Sequence, residues 1–460
     1  MKSIPMKNEQ IIRRSLMLLA ILLSIGPLHA QDGNFSLEQA VDYAIKHNLN
    51  IKNAQLDASS AEARIGEIRA AGLPQVAATV SLTNNIIIPR FFLPGGSLDP
   101  NTPADAPPAA LEFGIPWQGS AAANLNQLIF NGSYFIGLKA AATYRELAQK
   151  STTSSKVSVA EAVTKAYYSA QVAEERAKLL DLNISRVDSL MRETKAMNES
   201  GFVELLDVNR LEVQINNLQT ERQKVQNLIE LSYALLKFQM GMPANEPVKL
   251  TDDINAVNVD SLRSASANTD LSYENRIEYS LLNTQEKLAG LDLRNVRSGY
   301  LPSVSASLGY GYNAGADKFS QLFTNNWYPN MVLAINLNIP IFDGFSKKYQ
   351  INQKKIAIDK VKNNQTLLKQ SIDLENNQAS ISIKNAFATL ETQKRNLTLA
   401  EEIVRVSKIK YKEGVGSNIE VINAESSLKE AQTNYFTALY DLMIAKVDLS
   451  RAKGELYTEK

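Results

Sequence analysis

The chain has 460 residues, and its 49 basic and 48 acidic side chains leave a formal net charge of +1. That balance excludes the large basic footprint of a nucleic-acid-binding surface, so no nucleic-acid partner is expected. Cysteine is absent, which excludes disulfides, thiolate metal sites, a cysteine nucleophile and a lipid on an amino-terminal cysteine; the two histidines, His29 and His47, leave almost no room for a histidine metal cluster, and no cofactor is expected.

Residues 1–30 have the pattern of a cleaved signal peptide. Lys2, Lys7, Arg13 and Arg14 form a basic start, Ser15 to Ile25 is an apolar run too short to cross a bilayer as a helix, and Leu28-His29-Ala30 offers a small residue at a cleavage point. The protein is therefore expected to be exported and not a lipoprotein. No later stretch reaches the ~18 consecutive apolar residues of a membrane helix.

A first repeat is expected over 31–240. Ser36-Leu37-Glu38-Gln39 has capping-box form and opens helical pattern over about 36–73, with His47 an ordinary surface residue near the end of its first short helix. Leu73-Pro74 stops it, because proline cannot continue a helix. The period then becomes two, and strands are expected over about 75–88 and 118–130. Between them, residues 89–117 carry seven prolines and read as a solvated surface loop. The second strand ends in Ile129-Phe130-Asn131-Gly132. Asn-Gly after an apolar run is a hairpin signal, yet a stretch free of glycine and proline follows, from Leu138 to Ser200. The quartet is therefore a strand-to-helix junction: Asn131 caps the helix and Gly132 lets the chain swing into it. Helices are expected over about 133–199 and 203–240, joined at Gly201-Phe202-Val203.

A polar linker over 241–271, with Pro243 and Pro247, leads to a second repeat over 272–454 and a tail over 455–460. Its expected elements are a helix over about 272–300, strands over 303–313 and 328–341, and helices over 345–412 and 418–453. The landmarks recur. Leu301-Pro302 lies 228 residues after Leu73-Pro74, Ile341-Phe342-Asp343-Gly344 lies 212 after the first quartet, and Gly414 and Gly454 lie 213 after Gly201 and Gly241. Positions 211, 215, 218, 222, 225, 229, 232 and 236 form a 4-3 apolar stripe broken at Arg222 and Ser232, and adding 213 gives Ala424, Leu428, Ala431, Tyr435, Ala438, Leu442, Ala445 and Leu449. Such heptads mark helices packed as coiled coils. Helices of more than sixty residues, roughly 100 Å each, need that kind of neighbour.

The four strands alternate apolar residues with serine, threonine, asparagine and glycine, and they hold no charge. Tyr310, Tyr312, Trp327, Tyr328 and Trp117 gather near one end, as in a membrane-interface belt. Four strands cannot close a barrel, and open edges are not tolerated in lipid. Several copies must therefore pool strands, eight from two copies or twelve from three. All helices are then expected on one side of the barrel and both inter-strand loops on the other.

In the order and spacing of these features the chain resembles the outer-membrane efflux proteins of the TolC type. The strongest local likeness is Tyr411-Lys412-Glu413-Gly414-Val415-Gly416-Ser417-Asn418-Ile419-Glu420-Val421-Ile422-Asn423-Ala424-Glu425. The resemblance implies a mainly α fold with a membrane β-barrel portion. Two repeats would each give two barrel strands and long helices of a periplasmic α-barrel, closed only in a homotrimer. It implies an outer-membrane channel that offers a passive exit duct, with a periplasmic adaptor (membrane fusion) protein, an inner-membrane pump or transporter and outer-membrane lipid as partners, and no enzymatic activity. Adaptor contact is expected at the tips Gly201, Phe202, Val203, Gly414, Val415, Gly416 and Ser417. Gate residues carry over to Tyr411 and Glu420; the family's second acidic position is Asn423 here. Asp207 and Arg210 are their first-repeat counterparts, with a basic–acidic tie between the repeats. The strand–helix junctions are Pro74, Asn131, Gly132, Pro302, Asp343 and Gly344. A periplasmic coiled-coil scaffold or adaptor without a pore is the alternative. It accounts for the helices and not for four uncharged strands. The transported substrate is not legible.

Overall fold

The structure, a computed structural model, describes residues 33–457 apart from 95–96, 98–102, 104–106 and 255–271. The expected signal peptide, much of the linker and the end of the tail lie outside the described residues. In chain order the elements are β1 (Asn34–Phe35), α1 (Leu37–His47), α2 (Leu49–Ala70), β2 (Gln75–Asn84), β3 (Arg90–Leu93), β4 (Ala109–Glu112), β5 (Trp117–Phe130), α3 (Gly132–Glu199), α4 (Leu205–Met240), β6 (Lys249–Leu250), α5 (Ile277–Ser298), β7 (Ser303–Ala316), β8 (Tyr328–Asn338), α6 (Ser346–Lys412) and α7 (Asn418–Lys453). They fall into two compact units.

One unit comprises Asn53–Ser155 and Ser272–Leu374. It holds a four-stranded antiparallel sheet in the order β2-β5-β7-β8. The period-2 pattern sets its faces. Val76 stands opposite Leu125, Leu125 opposite Leu308, and Leu308 opposite Leu333, so one apolar row crosses all four strands. The other face carries Asn124, Gly309, Ser307 and Asn336. None of these four strands contains Asp, Glu, Lys or Arg. Val80 and Ile335 are 74% and 70% exposed, so the apolar face is bare in the single chain.

Two expectations change here. The segment 89–117 is not wholly a loop: β3 and β4 pair in it, with Arg90 Nη2 2.6 Å from Glu112 Oε1 and the rings of Phe91 and Phe113 edge to face. The last strand stops at Asn338 rather than 341, since Pro340 has no N–H to offer a ladder. Beyond β7 a short 3₁₀ turn, Phe319–Phe323, folds back. It buries Leu322 against Trp117 and Trp327, and Trp327 Nε1 donates to Leu322 O at 3.1 Å.

The other unit comprises Met1–Lys52, Lys156–Leu271 and Glu375–Lys460. The expected helix over 36–73 is broken at Asn48, whose backbone is extended (φ −61°, ψ 130°). Asn48 Nδ2 donates to Gln239 O at 2.8 Å, and a Cβ at Gly241 would stand 2.8 Å from Asn48 Cα, so the break and the end of α4 press together. The expected capping box is present: Gln39 N donates to Ser36 Oγ, and Ser36 N to Gln39 Oε1. His47 stacks on Tyr43 at 4.0 Å. The core is the heptad seam. Leu211, Ile215, Leu218, Val225 and Leu236 are buried on α4, and Ala424, Leu428, Ala438, Leu442 and Leu449 on α7. Arg222, the charged residue in that stripe, stays at the edge and donates from Nε to Asp181 Oδ1 at 3.1 Å. Gly241 and Gly454 end α4 and α7 in left-handed conformations (φ 71° and 75°), the helix stop that glycine permits.

Candidate functional site

The two helix-to-helix turns of the helical unit are built alike. Gly201 N donates to Asn198 O and Phe202 N to Met197 O; Gly414 N donates to Tyr411 O and Val415 N to Lys410 O. Each donor and acceptor of the second turn lies 213 residues after its counterpart. Both glycines are left-handed, at φ 76° and 72°. The turns turn Phe202 and Val415 outward, 80% and 78% exposed. Val203 is half-buried, and its carbonyl accepts from Asn198 Nδ2 at 2.7 Å. Gly416 N donates to Lys410 O. Ser417 caps α7, its Oγ accepting from Glu420 N at 3.4 Å, whereas Glu204 at the same place before α4 makes no side-chain cap.

Tyr411 is buried, and its hydroxyl lies 3.1 Å from that of Thr194, tying α6 to α3. Glu420 and Asn423 are exposed in the first turns of α7. The expected basic–acidic tie between repeats is not made by Arg210: its Nη1 lies 3.3 Å from Asp207 Oδ1, one turn away on the same helix. Asp207 instead meets the second repeat through its backbone: the buried Asn418 donates from Nδ2 to Asp207 O at 2.9 Å.

Sequence reasoning missed the polar cluster behind the turns. Glu425 is 4% exposed. Arg186 approaches its Oε2 at 3.2 Å from Nη2 and 3.4 Å from Nε, and Lys408 Nζ lies 2.7 Å from Oε1, an ion pair more than an aligned hydrogen bond. Arg186 also donates to Asn183 Oδ1, and Asn183 Nδ2 donates to Gln432 Oε1 at 2.9 Å. One buried carboxylate thus draws α3, α6 and α7 together. The heptad stripe passes through Ala424, so the adjacent acid reads from sequence as a solvated flank. Only the partners on other helices reveal its burial.

In the sheet unit, neither quartet makes a two-residue hairpin. The helix α3 begins at Gly132 and α6 at Ser346. Asn131 Oδ1 accepts from Tyr134 N at 3.2 Å. Asp343 Oδ2 accepts from Lys347 N at 3.0 Å and from Lys347 Nζ at 3.1 Å, and that backbone N–H first, then the ammonium, hold its carboxyl below the usual range. The two glycines serve different ends. Gly344 is left-handed (φ 65°) and is followed by Phe345 at φ 66°. Gly132 is not left-handed; a Cβ there would stand 2.9 Å from Ser298 Cβ. At the entries, Gly72 N donates to Arg69 O and Leu73 N to Ala70 O before Pro74, and Tyr300 N and Leu301 N repeat this to Arg297 O and Ser298 O before Pro302.

Residues 284–455 match the model of the family described as outer membrane efflux protein. The outer membrane protein TolC of Vibrio cholerae is 20% identical over 345 residues, 73% of this chain and 77% of that one. A probable efflux pump outer membrane protein, TtgC of Pseudomonas putida, is 22% identical over 433 residues, 91% of this chain and 83% of that one. Among solved structures, CusC superposes with a TM-score of 0.71 at 18% identity, covering 91% of each chain. No helix among the described residues is long and apolar enough to cross a membrane. With the family's model matching residues 284–455, TolC and TtgC among its relatives and a fold shared with CusC along nearly its whole length, the chain is similar to the outer membrane efflux proteins of the TolC type.

Proposed function

We propose that three copies of this chain form the outer-membrane channel of a tripartite efflux system, a passive exit duct for substrates delivered by an inner-membrane pump through a periplasmic adaptor. The sheet carries this reading. It has no ionisable residue of the Asp, Glu, Lys or Arg kind, a bare apolar face, and two edge strands, β2 and β8, each paired on one side only within the sheet. In lipid every backbone group must be paired, so such a sheet is stable only when other copies close it. Three copies give twelve strands, within the range of known barrels. Residues 1–30 act as a cleaved signal peptide, and a chain without cysteine has no thiol to lipidate.

Phe202 and Val415 are the adaptor contacts: exposed apolar side chains on rigid turns have little reason to stay uncovered. Glu420 lines the constriction, where three carboxylates around one axis attract cations and repel anions. A scaffold without a pore leaves the uncharged sheet without a role. The test is extraction from the outer membrane, mass by light scattering, and conductance in a planar bilayer. A conducting trimer is expected, and a soluble monomer without conductance would overturn the reading.

A further inference from the structure

Charge in the sheet unit is concentrated where the helices meet the strands. The eight helical residues nearest the sheet in α2, α3, α5 and α6 together hold seven basic side chains and two acidic ones, whereas the next eight of each helix hold five of either sign. Six of the seven, Arg64, Arg69, Lys139, Arg294, Arg297 and Lys348, are exposed, and none of the six forms an ion pair among the described residues. The seventh, Lys347, lies 3.1 Å from Asp343 Oδ2 and 5.4 Å from the centre of the Tyr300 ring.

The helix dipole accounts for part of this. A helix ends negative, so Arg69 and Arg297, in the last turns of α2 and α5, are placed well by local electrostatics alone. A helix starts positive, and acids belong there. Yet α3 and α6 have no acid in their first turns, and α6 opens with Lys347 and Lys348. Asp343 offsets Lys347; no acid among the described residues offsets Lys348.

The free lysines of α3 and α6 stand beside aromatic rings at the rim of the apolar face. Phe130 is opposite Val304 and Val304 opposite Leu337, so Phe130 ends that face. The ring of Phe135 lies 6.1 Å from that of Phe130, and Lys139 follows one turn later on α3. At the other junction, Ile341 and Phe342 are exposed beyond β8. Phe345 stands edge to face with Phe342 at 5.4 Å, and Lys348 Nζ lies 5.8 Å from the centre of the Phe345 ring. Apolar strand, aromatic ring and ammonium therefore follow one another twice, in the order of a phospholipid's chains, ester region and phosphate.

We propose that these turns hold anionic phospholipid of the periplasmic leaflet, with Lys139 and Lys348 at the phosphate and Phe130, Phe135, Phe342 and Phe345 on the acyl chains. The site rests on the channel reading, under which the apolar face meets lipid, and it names the lipid that the face selects. A zwitterionic headgroup brings its own cation and leaves the lysines uncompensated; a headgroup of net negative charge offsets them. A free phosphate has the charge and lacks the chains that the exposed rings would cover.

The test is native mass spectrometry of the detergent-solubilised, delipidated protein, titrated with dioleoyl phosphatidylglycerol or dioleoyl phosphatidylcholine. Phosphatidylglycerol is expected to be retained more tightly. Lys139→Gln with Lys348→Gln should weaken its retention about 30-fold, about fivefold for each charge near an anionic headgroup, and leave phosphatidylcholine unchanged. Lys355→Gln with Lys360→Gln, exposed lysines further along α6, should have little effect. Equal retention of the two lipids, an unaffected double variant or an equal loss in the second pair would overturn the site. So would displacement of the lipid by excess inorganic phosphate, which marks a free-anion site. An altered ion selectivity of conductance with lipid retention unchanged would place the lysines in the duct instead. A protein that is neither trimeric nor conducting removes the channel reading and the site together, whereas a conducting trimer without lipid preference removes the site alone.

Discussion

Glu425→Gln isolates the buried carboxylate that holds three helices together. The change keeps the side chain's size and removes one charge facing two cations. At about 3 Å and an effective dielectric near 20, each pair is worth ~5 kcal/mol of Coulomb energy. Most of that is offset, because the Arg186 and Lys408 side chains are 32% and 26% exposed and recover hydration when the carboxylate goes. A net loss of about 2 kcal/mol remains. It is local, and appears as easier opening of the helices around residues 418–432. At 1.4 kcal/mol per factor of ten, amide hydrogen exchange there quickens about 30-fold. Removing both cations, Arg186→Met with Lys408→Met, leaves a carboxylate buried without a partner and costs more, about 3–5 kcal/mol. Exchange measured by mass spectrometry on the detergent-solubilised protein gives both numbers. Unchanged exchange in Glu425→Gln, or a smaller effect in the double variant, would refute the idea that this carboxylate fastens α7 to α3 and α6.

Phe202→Ser with Val415→Ser should leave the trimer intact and abolish resistance to toxic compounds in cells, read as minimum inhibitory concentrations; full resistance would remove the tips from adaptor contact. Leu333→Lys puts a charge on the apolar face of β8 and should cost about 2–4 kcal/mol, seen as lost trimer in outer-membrane extracts, whereas Asn336→Lys on the other face should be tolerated. Gly344→Ala meets no neighbour but must hold φ 65°, a loss of about 1–2 kcal/mol in thermal stability. Gly132→Ala has no such strain and instead drives a methyl toward Ser298, costing about 1–3 kcal/mol; the loss at position 132 should shrink with Ser298→Gly and the loss at 344 should not.

Local pattern carried far in this chain because its elements are long and regular. Period two over Ser303–Ala316 and the 4-3 stripe from Leu211 to Leu236 are set by backbone geometry, with successive side chains alternating across a strand and recurring on one helix face. The caps at Asn131 and Asp343 are short-range hydrogen bonds between residues no more than four apart, and sequence shows them too. The landmarks Gly201 and Gly414 recur at an offset of 213 in the sequence, and the structure shows that the hydrogen bonds of the two turns share that offset.

Tertiary structure decided what depends on a residue's distant neighbours. The burial of Glu425, the turn of Arg210 toward Asp207 rather than the second repeat, and the link from Asn418 to Asp207 O all join partners whose proximity no periodicity encodes. The two quartets, Ile-Phe-Asn-Gly and Ile-Phe-Asp-Gly, are the sharpest case. Their glycines match in sequence, yet one is needed for a left-handed backbone and the other for close approach to Ser298. Sequence determined that a junction stands at each place; only packing determined why each requires glycine.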